Sequence, residues 1–139
     1  MPDVRAARGL IDTSVVIELE RLDPEELRAA LAVAAITLAE LAAGPHATDD
    51  LTERARRQER LQLTEATFDA IPFDAACARA YGRVYAETLA AGRKARGKRA
   101  IDLLIAATAL ASQLPLYTAN PADFDGLDAL IEVAAVTAR

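Results

Sequence analysis

The chain has 139 residues, of which 53% are hydrophobic and 27% are charged, and its net charge is −5. This length and apolar content predict one compact domain over residues 1–139 and exclude a disordered chain. The negative balance argues against indiscriminate nucleic-acid binding, which usually needs a basic surface. The single cysteine, Cys77, excludes a disulfide framework within the chain and a cysteine-based zinc site, so we expect a cytoplasmic protein.

We expect neither a signal peptide nor a membrane partner. The opening stretch MPDVRAARG is polar, and the apolar run after it is interrupted by Asp12. No apolar run approaches the roughly 20 residues that a membrane helix needs.

The N-terminal third of the chain predicts two strands, each followed by a helix. Residues 8–12 form a short apolar run that ends in a carboxylate, and residues 14–22 carry apolar side chains at helical spacing. Residues 32–37 predict a second buried strand. The helix after it is expected to stop at Gly44 and Pro45.

Residues 48–68 differ from the rest of the chain because they are dense in charges of both signs and carry only a thin apolar stripe. This pattern predicts one or two exposed helices that act as a clip for a partner.

The C-terminal half continues the alternation of strands and helices. Residues 68–74 predict a third strand, and Asp74 is placed to cap a helix that Gly92 closes. Residues 101–113 predict a helix that is buried on nearly all sides. Asp102 at its head either caps this helix or belongs to a site.

Two further strands are predicted over residues 114–118 and 130–136, with a turn at the NPADF segment between them. Strands that alternate with helices indicate an α/β fold with three layers, in which a central parallel sheet of four to five strands is flanked by helices. In such sheets sites form at the carboxyl ends of the strands, near the point where the strand order reverses.

Four acids fall at those strand ends, each within apolar sequence. They are Asp12, Glu40, Asp102 and Asp123. Carboxylates brought within a few ångströms repel one another unless a cation intervenes. A hard divalent ion, Mg²⁺ or Mn²⁺, prefers oxygen ligands and activates water for phosphodiester hydrolysis. We therefore predict that these acids are both the metal ligands and the catalytic residues.

Short polar residues at the same strand ends are expected to support a metal-bound water or a phosphate oxygen. They are Thr13, Ser14, Thr118 and Asn120. Basic residues crowd into the loop before Asp102, where they are placed to grip a nucleic-acid backbone. They are Arg93, Lys94, Arg96, Lys98 and Arg99. The chain has no Trp, which favours recognition by shape and backbone over extensive stacking on single-stranded bases.

The chain resembles the PIN-domain ribonucleases and, within them, the VapC toxins of toxin–antitoxin pairs. The matching segments are LIDTSVVI, ITLAELAAG, IDLLIAATALA and LYTANPADFDGL, which occur in the family's order and cover nearly the whole chain. The resemblance implies that Asp12, Glu40, Asp102 and Asp123 are the acidic quartet. Asp125 or Asn120 remains an alternative for the role of the fourth acid.

The same resemblance implies an endoribonuclease, dependent on Mg²⁺ or Mn²⁺, that cuts structured RNA such as tRNA or rRNA and so inhibits translation. It also implies a homodimer, and a VapB antitoxin that obstructs the acidic site within a heterotetramer or a larger complex. Residues 48–68 lie where such toxins commonly hold the antitoxin.

Other functional classes have less support. A phosphatase with an aspartyl nucleophile of the haloacid-dehalogenase type needs a second Asp where Ser14 stands. A dinucleotide-binding domain needs a glycine fingerprint that LIDTSV lacks. The alternative that stays open is a PIN-fold binding module that has lost cleavage.

Overall fold

The computed structural model describes residues 8–21 and 30–137, apart from the side chain of Glu20. The strands are β1 (Arg8–Ile11), β2 (Ala30–Ala34), β3 (Asp69–Ile71), β4 (Leu116–Thr118) and β5 (Val133–Ala135). The α-helices are α1 (Thr13–Ile17), α2 (Ala35–Ala43), α3 (Leu51–Thr67), α4 (Ala75–Ala90) and α5 (Lys98–Ser112). Short 3₁₀ helices cover Leu19–Arg21, Gly44–Ala47 and Pro121–Phe124.

The five strands form one parallel sheet in the order β3-β2-β1-β4-β5. This confirms the predicted α/β architecture. The chain builds outward from β1 on one side and then returns to add β4 and β5 on the other. The order therefore reverses beside β1, and the carboxyl ends of β1 and β4 flank the point where α/β sheets form their sites.

Successive residues of the strands pack into two separate clusters of apolar side chains. Leu10 and Ala32 lie in one cluster with residues of α4 and α5, whereas Ile11 and Val33 lie in the other with residues of α1 and α2. Successive side chains of a strand point to opposite faces, so this division means that helices cover both faces of the sheet.

Helix α5 is the buried helix that the sequence predicts, because all five residues from Ile105 to Ala109 are buried. The bounds differ, since α5 begins at Lys98 and the position before it is Gly97, with a φ of 70° and no capping side chain. Asp102 therefore lies in the second turn of α5, and the prediction that it caps the helix is wrong.

The other elements agree with the predictions in type and differ in length. Strand β2 ends at Ala34 rather than at residue 37, so Thr37 belongs to α2. The strands predicted over residues 68–74, 114–118 and 130–136 each shorten to three residues. The helix predicted over residues 14–22 divides into α1 and a 3₁₀ turn, and Leu22 lies outside the described residues.

Helix α4 begins as predicted, with Asp74 accepting a hydrogen bond from the Cys77 backbone N–H at 3.0 Å. Helix α4 packs against α5, and Val84 lies in one apolar cluster with residues of α5. The face of α4 is only partly covered, because Tyr85 and Leu89 are 41% and 50% exposed.

Residues 48–68 form the single exposed helix α3, which packs against α2 and the 3₁₀ turn after it. Two arginines fix it there: Arg54 donates to the carbonyl oxygen of Pro45 and Arg57 to that of Gly44. Leu51 and Leu63 stay 76% and 60% exposed. None of the helices in the described ranges is long and apolar enough to cross a membrane.

Candidate functional site

Asp12 follows β1 directly and joins the sheet to α1. Its Oδ1 accepts hydrogen bonds from the Val15 backbone N–H at 3.1 Å and from the Ser14 hydroxyl at 2.5 Å. The residue is only 4% exposed. Burial raises the pKa of Asp12 above its ordinary value, although the hydrogen bonds from Ser14, Thr118 and Val15 act in the opposite direction.

Ser14 and Thr118 connect the carboxyl ends of β1 and β4. The Ser14 hydroxyl accepts a hydrogen bond from the Ala119 backbone N–H at 3.0 Å and lies 3.4 Å from the Thr118 hydroxyl. Thr118 is fully buried and accepts from the Asn120 backbone N–H at 3.0 Å. These bonds hold the segment after β4 against Asp12. Asn120 joins this network through its backbone, and its side chain is exposed.

Glu40 is held over the start of α1. The Thr13 hydroxyl donates to Glu40 Oε1 at 2.5 Å and lies 3.1 Å from the Thr37 hydroxyl. Thr37 stands three residues before Glu40 on the same face of α2 and is fully buried. Sequence reasoning missed Thr37 because residue 37 was assigned to a strand. The sequence feature that could have identified Thr37 is its single hydroxyl side chain one helical turn before Glu40.

Asp102 projects from the second turn of α5 and is half-buried. Its pKa is raised from 3.8 to about 6, first by burial and then by the negative charges of Asp123, Asp12 and Glu40. Lys98, one turn earlier on α5, opposes this rise. The charge of each of the other three predicted acids therefore reaches Asp102, and we call these four residues the acid cluster.

Asp123 lies in the 3₁₀ turn after β4, which two arginines of the basic loop secure. Arg99 Nη1 donates to the backbone carbonyl of Asp123 at 3.1 Å, and Arg93 Nη1 donates to that of Ala122 at 2.6 Å. Arg93 also lies 3.7 Å from Asp125, whose side chain is 70% exposed. Asp123 is among the acids whose negative charge raises the pKa of Asp102, and Asp125 lies beside Arg93.

The basic loop divides into two kinds of residue. Arg93 and Arg99 are partly buried and bind backbone carbonyls, whereas Lys94, Arg96 and Lys98 are exposed. All five were predicted to grip RNA. The structure gives the two arginines a contact within the protein and leaves the other three side chains open to solvent.

The acid cluster offers only oxygen donors, which suits a hard divalent cation. Within residues 8–21 and 30–137, no three side chains of the His, Cys, Asp and Glu type stand close enough to hold one ion between them. Mg²⁺ usually takes one or two carboxylates and keeps several waters. The donor set fits such an ion, which one or two of these carboxylates would hold.

Comparison with known proteins places this arrangement in a family. The PIN domain family matches residues 9–130. Comparison with curated proteins gave no significant match.

Three solved structures illustrate the likeness. VapBC-5 from Mycobacterium tuberculosis, a member of the VapBC family of toxin–antitoxin systems, is 32% identical, with a TM-score of 0.77 over 93% of this chain and 98% of that one. FitAcB from Neisseria gonorrhoeae is 28% identical, with a TM-score of 0.69 over 89% and 94%.

VapBC2 from Rickettsia felis, solved with a DNA fragment from its promoter, is 21% identical, with a TM-score of 0.71 over 93% and 98%. This third match speaks for the fold alone. The family match spans most of the sequence and includes all four residues of the acid cluster. The chain therefore belongs to the PIN domain family, as a toxin of the VapC type.

Proposed function

We propose that the protein is a metal-dependent endoribonuclease that cleaves structured RNA, tRNA or rRNA, and thereby inhibits translation in the cytoplasm. The observation that carries this proposal is the position of Asp12 and Asp123 after β1 and β4, with Glu40 held over α1 by the Thr13 hydroxyl at 2.5 Å. Burial first, and then the charges of these three acids, raise the pKa of Asp102 to about 6. Burying like charges together costs stability unless a cation or a proton compensates them. Proteins of the VapC type are typically nucleases, which agrees with a hydrolytic role for such a cluster.

The acid cluster would hold Mg²⁺ or Mn²⁺. When bound, such an ion lowers the pKa of water and neutralises charge that develops on a phosphoryl oxygen. The residues of the chain supply orientation. Ser14 fixes one oxygen of Asp12, and Thr13 fixes one oxygen of Glu40. Hydroxyl groups that hold carboxylates in one rotamer reduce the reorganisation needed when cation and substrate arrive.

We further propose a VapB-type antitoxin as the partner of α3. This helix leaves Leu51 and Leu63 uncovered among charged residues, as a helix does when a partner completes its packing. VapBC-5, which is 32% identical to this chain, is a member of the VapBC family of toxin–antitoxin systems, and this supports a partner of the same class. The proposal includes the homodimer, and the heterotetramer or larger complex with the antitoxin, that the resemblance of the sequence implies.

The decisive experiment uses the protein purified free of antitoxin, incubated with total RNA in Mg²⁺, in Mn²⁺ or in EDTA. Asp12→Asn is the test variant, because Asn still caps α1 while the charge is lost. Asp128→Asn is the matched control, since Asp128 is an exposed acid that is not part of the predicted site. We expect cleavage by the wild type and the control with either metal, and none in EDTA or with Asp12→Asn.

Cleavage that persists equally in EDTA, or in Asp12→Asn, would contradict a metal centre at the acid cluster. A wild type that cuts no RNA in any metal but binds its antitoxin fully would instead favour a PIN-fold binding module. Sequencing the RNA ends left by the active protein would identify the substrate and the position of the cut.

A further inference from the structure

A cavity of about 330 Å³ opens beside the acid cluster, between α1, α2 and α3. Thr13 and Glu40 line it, so the cavity is continuous with the proposed metal site. Its apolar lining includes Ile17, which is 50% exposed, and its basic lining comes from Arg57 and Arg60 of α3. Neither arginine was predicted from the sequence to contact a ligand.

The two arginines differ in what they already bind. Arg57 donates to Glu53 at 3.0 Å and to the Gly44 carbonyl at 2.9 Å, so its charge is paired within the protein. Arg60 is half-buried, and its guanidinium makes no hydrogen bond or ion pair with the residues that the structure describes. A guanidinium carries five N–H donors, and all of those of Arg60 remain available at the cavity.

We propose that this cavity binds a backbone phosphate of the RNA, next to the phosphodiester at the acid cluster, with Arg60 as the phosphate ligand. The inference rests on the proposed function, because it extends the path of the same substrate. An RNA chain with one phosphate at the acid cluster has to continue past the cluster through an open side of the site. The cavity lies on such a side, and it offers the Arg60 guanidinium for the next phosphate and the aliphatic surface of Ile17 for a ribose.

The position of Arg60 also reduces the repulsion between the acid cluster and a polyanionic substrate. The acid cluster repels the polyanion that it is proposed to cut, so cations are needed close to it. The exposed residues of the basic loop supply positive charge beside α5, and Arg60 supplies it beside α2 and α3. Cations on both sides would hold the strand across the acids without base-specific contacts.

The test compares Arg60→Gln with Arg56→Gln, an exposed arginine one turn earlier on α3 that does not line the cavity. Binding of fluorescein-labelled bulk tRNA is measured by anisotropy over a series of salt concentrations, in EDTA so that no metal supports cleavage. Each phosphate contact contributes about 0.7 to 0.9 to the slope of log K against log salt. We expect Arg60→Gln to lower that slope by nearly one contact and to weaken binding about fivefold to tenfold at low salt.

Arg56→Gln should change both quantities much less, and Arg60→Lys should keep most of the slope because it keeps the charge. Stabilisation of Arg60→Gln by Mn²⁺ should match that of the wild type, which checks that the metal site and the fold are intact. An unchanged slope in Arg60→Gln would overturn the proposal, and reduced binding of the antitoxin alone would assign the cavity to that partner. A wild type that binds no RNA at all would overturn the proposed function itself.

Discussion

Asp102→Asn isolates the electrostatic cost of the acid cluster, because it removes one charge and almost no volume. The folded pKa of Asp102 is about 6 and its ordinary value is 3.8. Between these values the folded state binds more protons than the unfolded state, so the stability of the metal-free protein falls as the pH rises. The cost is nearly absent below about pH 3, reaches roughly a fifth of its full size at pH 4 and is fully present above about pH 7.

The size of this cost follows from the pKa difference. The rise from 3.8 to about 6 corresponds to about 3 kcal/mol at 1.36 kcal/mol per pKa unit. Asp102 is only partly buried, and solvent screening reduces this to about 1–2 kcal/mol. In EDTA at pH 7.5 we therefore expect Asp102→Asn to be more stable than the wild type by that amount, which is about 3–6 °C in Tm.

Urea denaturation in EDTA at pH 7.5 and at pH 4 measures the effect, with Asp128→Asn as the control for loss of an exposed acid. At pH 4 the stability advantage of Asp102→Asn should fall to roughly a fifth of its value at pH 7.5. In saturating Mn²⁺ the order should reverse, since the wild type gains binding energy that the variant loses. A metal-free Asp102→Asn that is no more stable than the wild type at pH 7.5 would refute the argument that burial and the neighbouring acids make the charge of Asp102 costly.

Three further outcomes test the packing around the acid cluster. Arg99→Lys keeps the charge but loses the guanidinium hydrogen bond to the Asp123 carbonyl. Calorimetry should show weaker Mn²⁺ binding and a free energy of unfolding that is about 0.5–1.5 kcal/mol lower. Arg96→Lys, at an exposed position, should change neither quantity. Ser14→Ala removes a donor to Asp12 and the acceptor of a backbone N–H, which should cost about 1–3 kcal/mol in urea denaturation; a neutral result would contradict the link between β1 and β4. Gly9→Ala places a methyl group 2.3 Å from Cε2 of the Tyr117 ring. We expect this contact to lower the free energy of unfolding by about 1–3 kcal/mol. An unchanged Tm would show that the Tyr117 ring moves aside freely.

The order and type of the elements were predictable because apolar runs and helical spacing report burial directly. The carboxyl ends of β1 and β4 were located correctly for this reason, and Asp12 and Asp123 with them. The first residues of the helices were harder to predict from the sequence. Helix α5 begins after Gly97 without a capping side chain, and its first turn carries Lys98 and Arg99, which oppose the helix dipole. No local signal places Asp102 in the second turn.

The roles of the arginines also lay beyond the sequence. Arg93, Arg96 and Arg99 look alike in a basic run, yet only Arg93 and Arg99 reach the carbonyls of the turn after β4, across 29 and 24 residues of chain. The position of Arg60 could not be predicted from the sequence either. It stands in a helix crowded with charges, and the packing of α3 against α2 brings it to the cavity that Glu40 also lines. Contacts of this kind depend on tertiary geometry that periodicity does not report.

The position of β1 in the sheet has a consequence for synthesis of the chain. β1 pairs with β2 and with β4, which begins more than one hundred residues later. Until that strand emerges, one edge of β1 offers unpaired N–H and C=O groups, and Asp12 lacks the segment that carries Thr118 and Asp123. A growing chain thus contains the first two acids long before the last two. The acid cluster can close only after the segment that carries Asp123 has emerged and β4 has paired with β1.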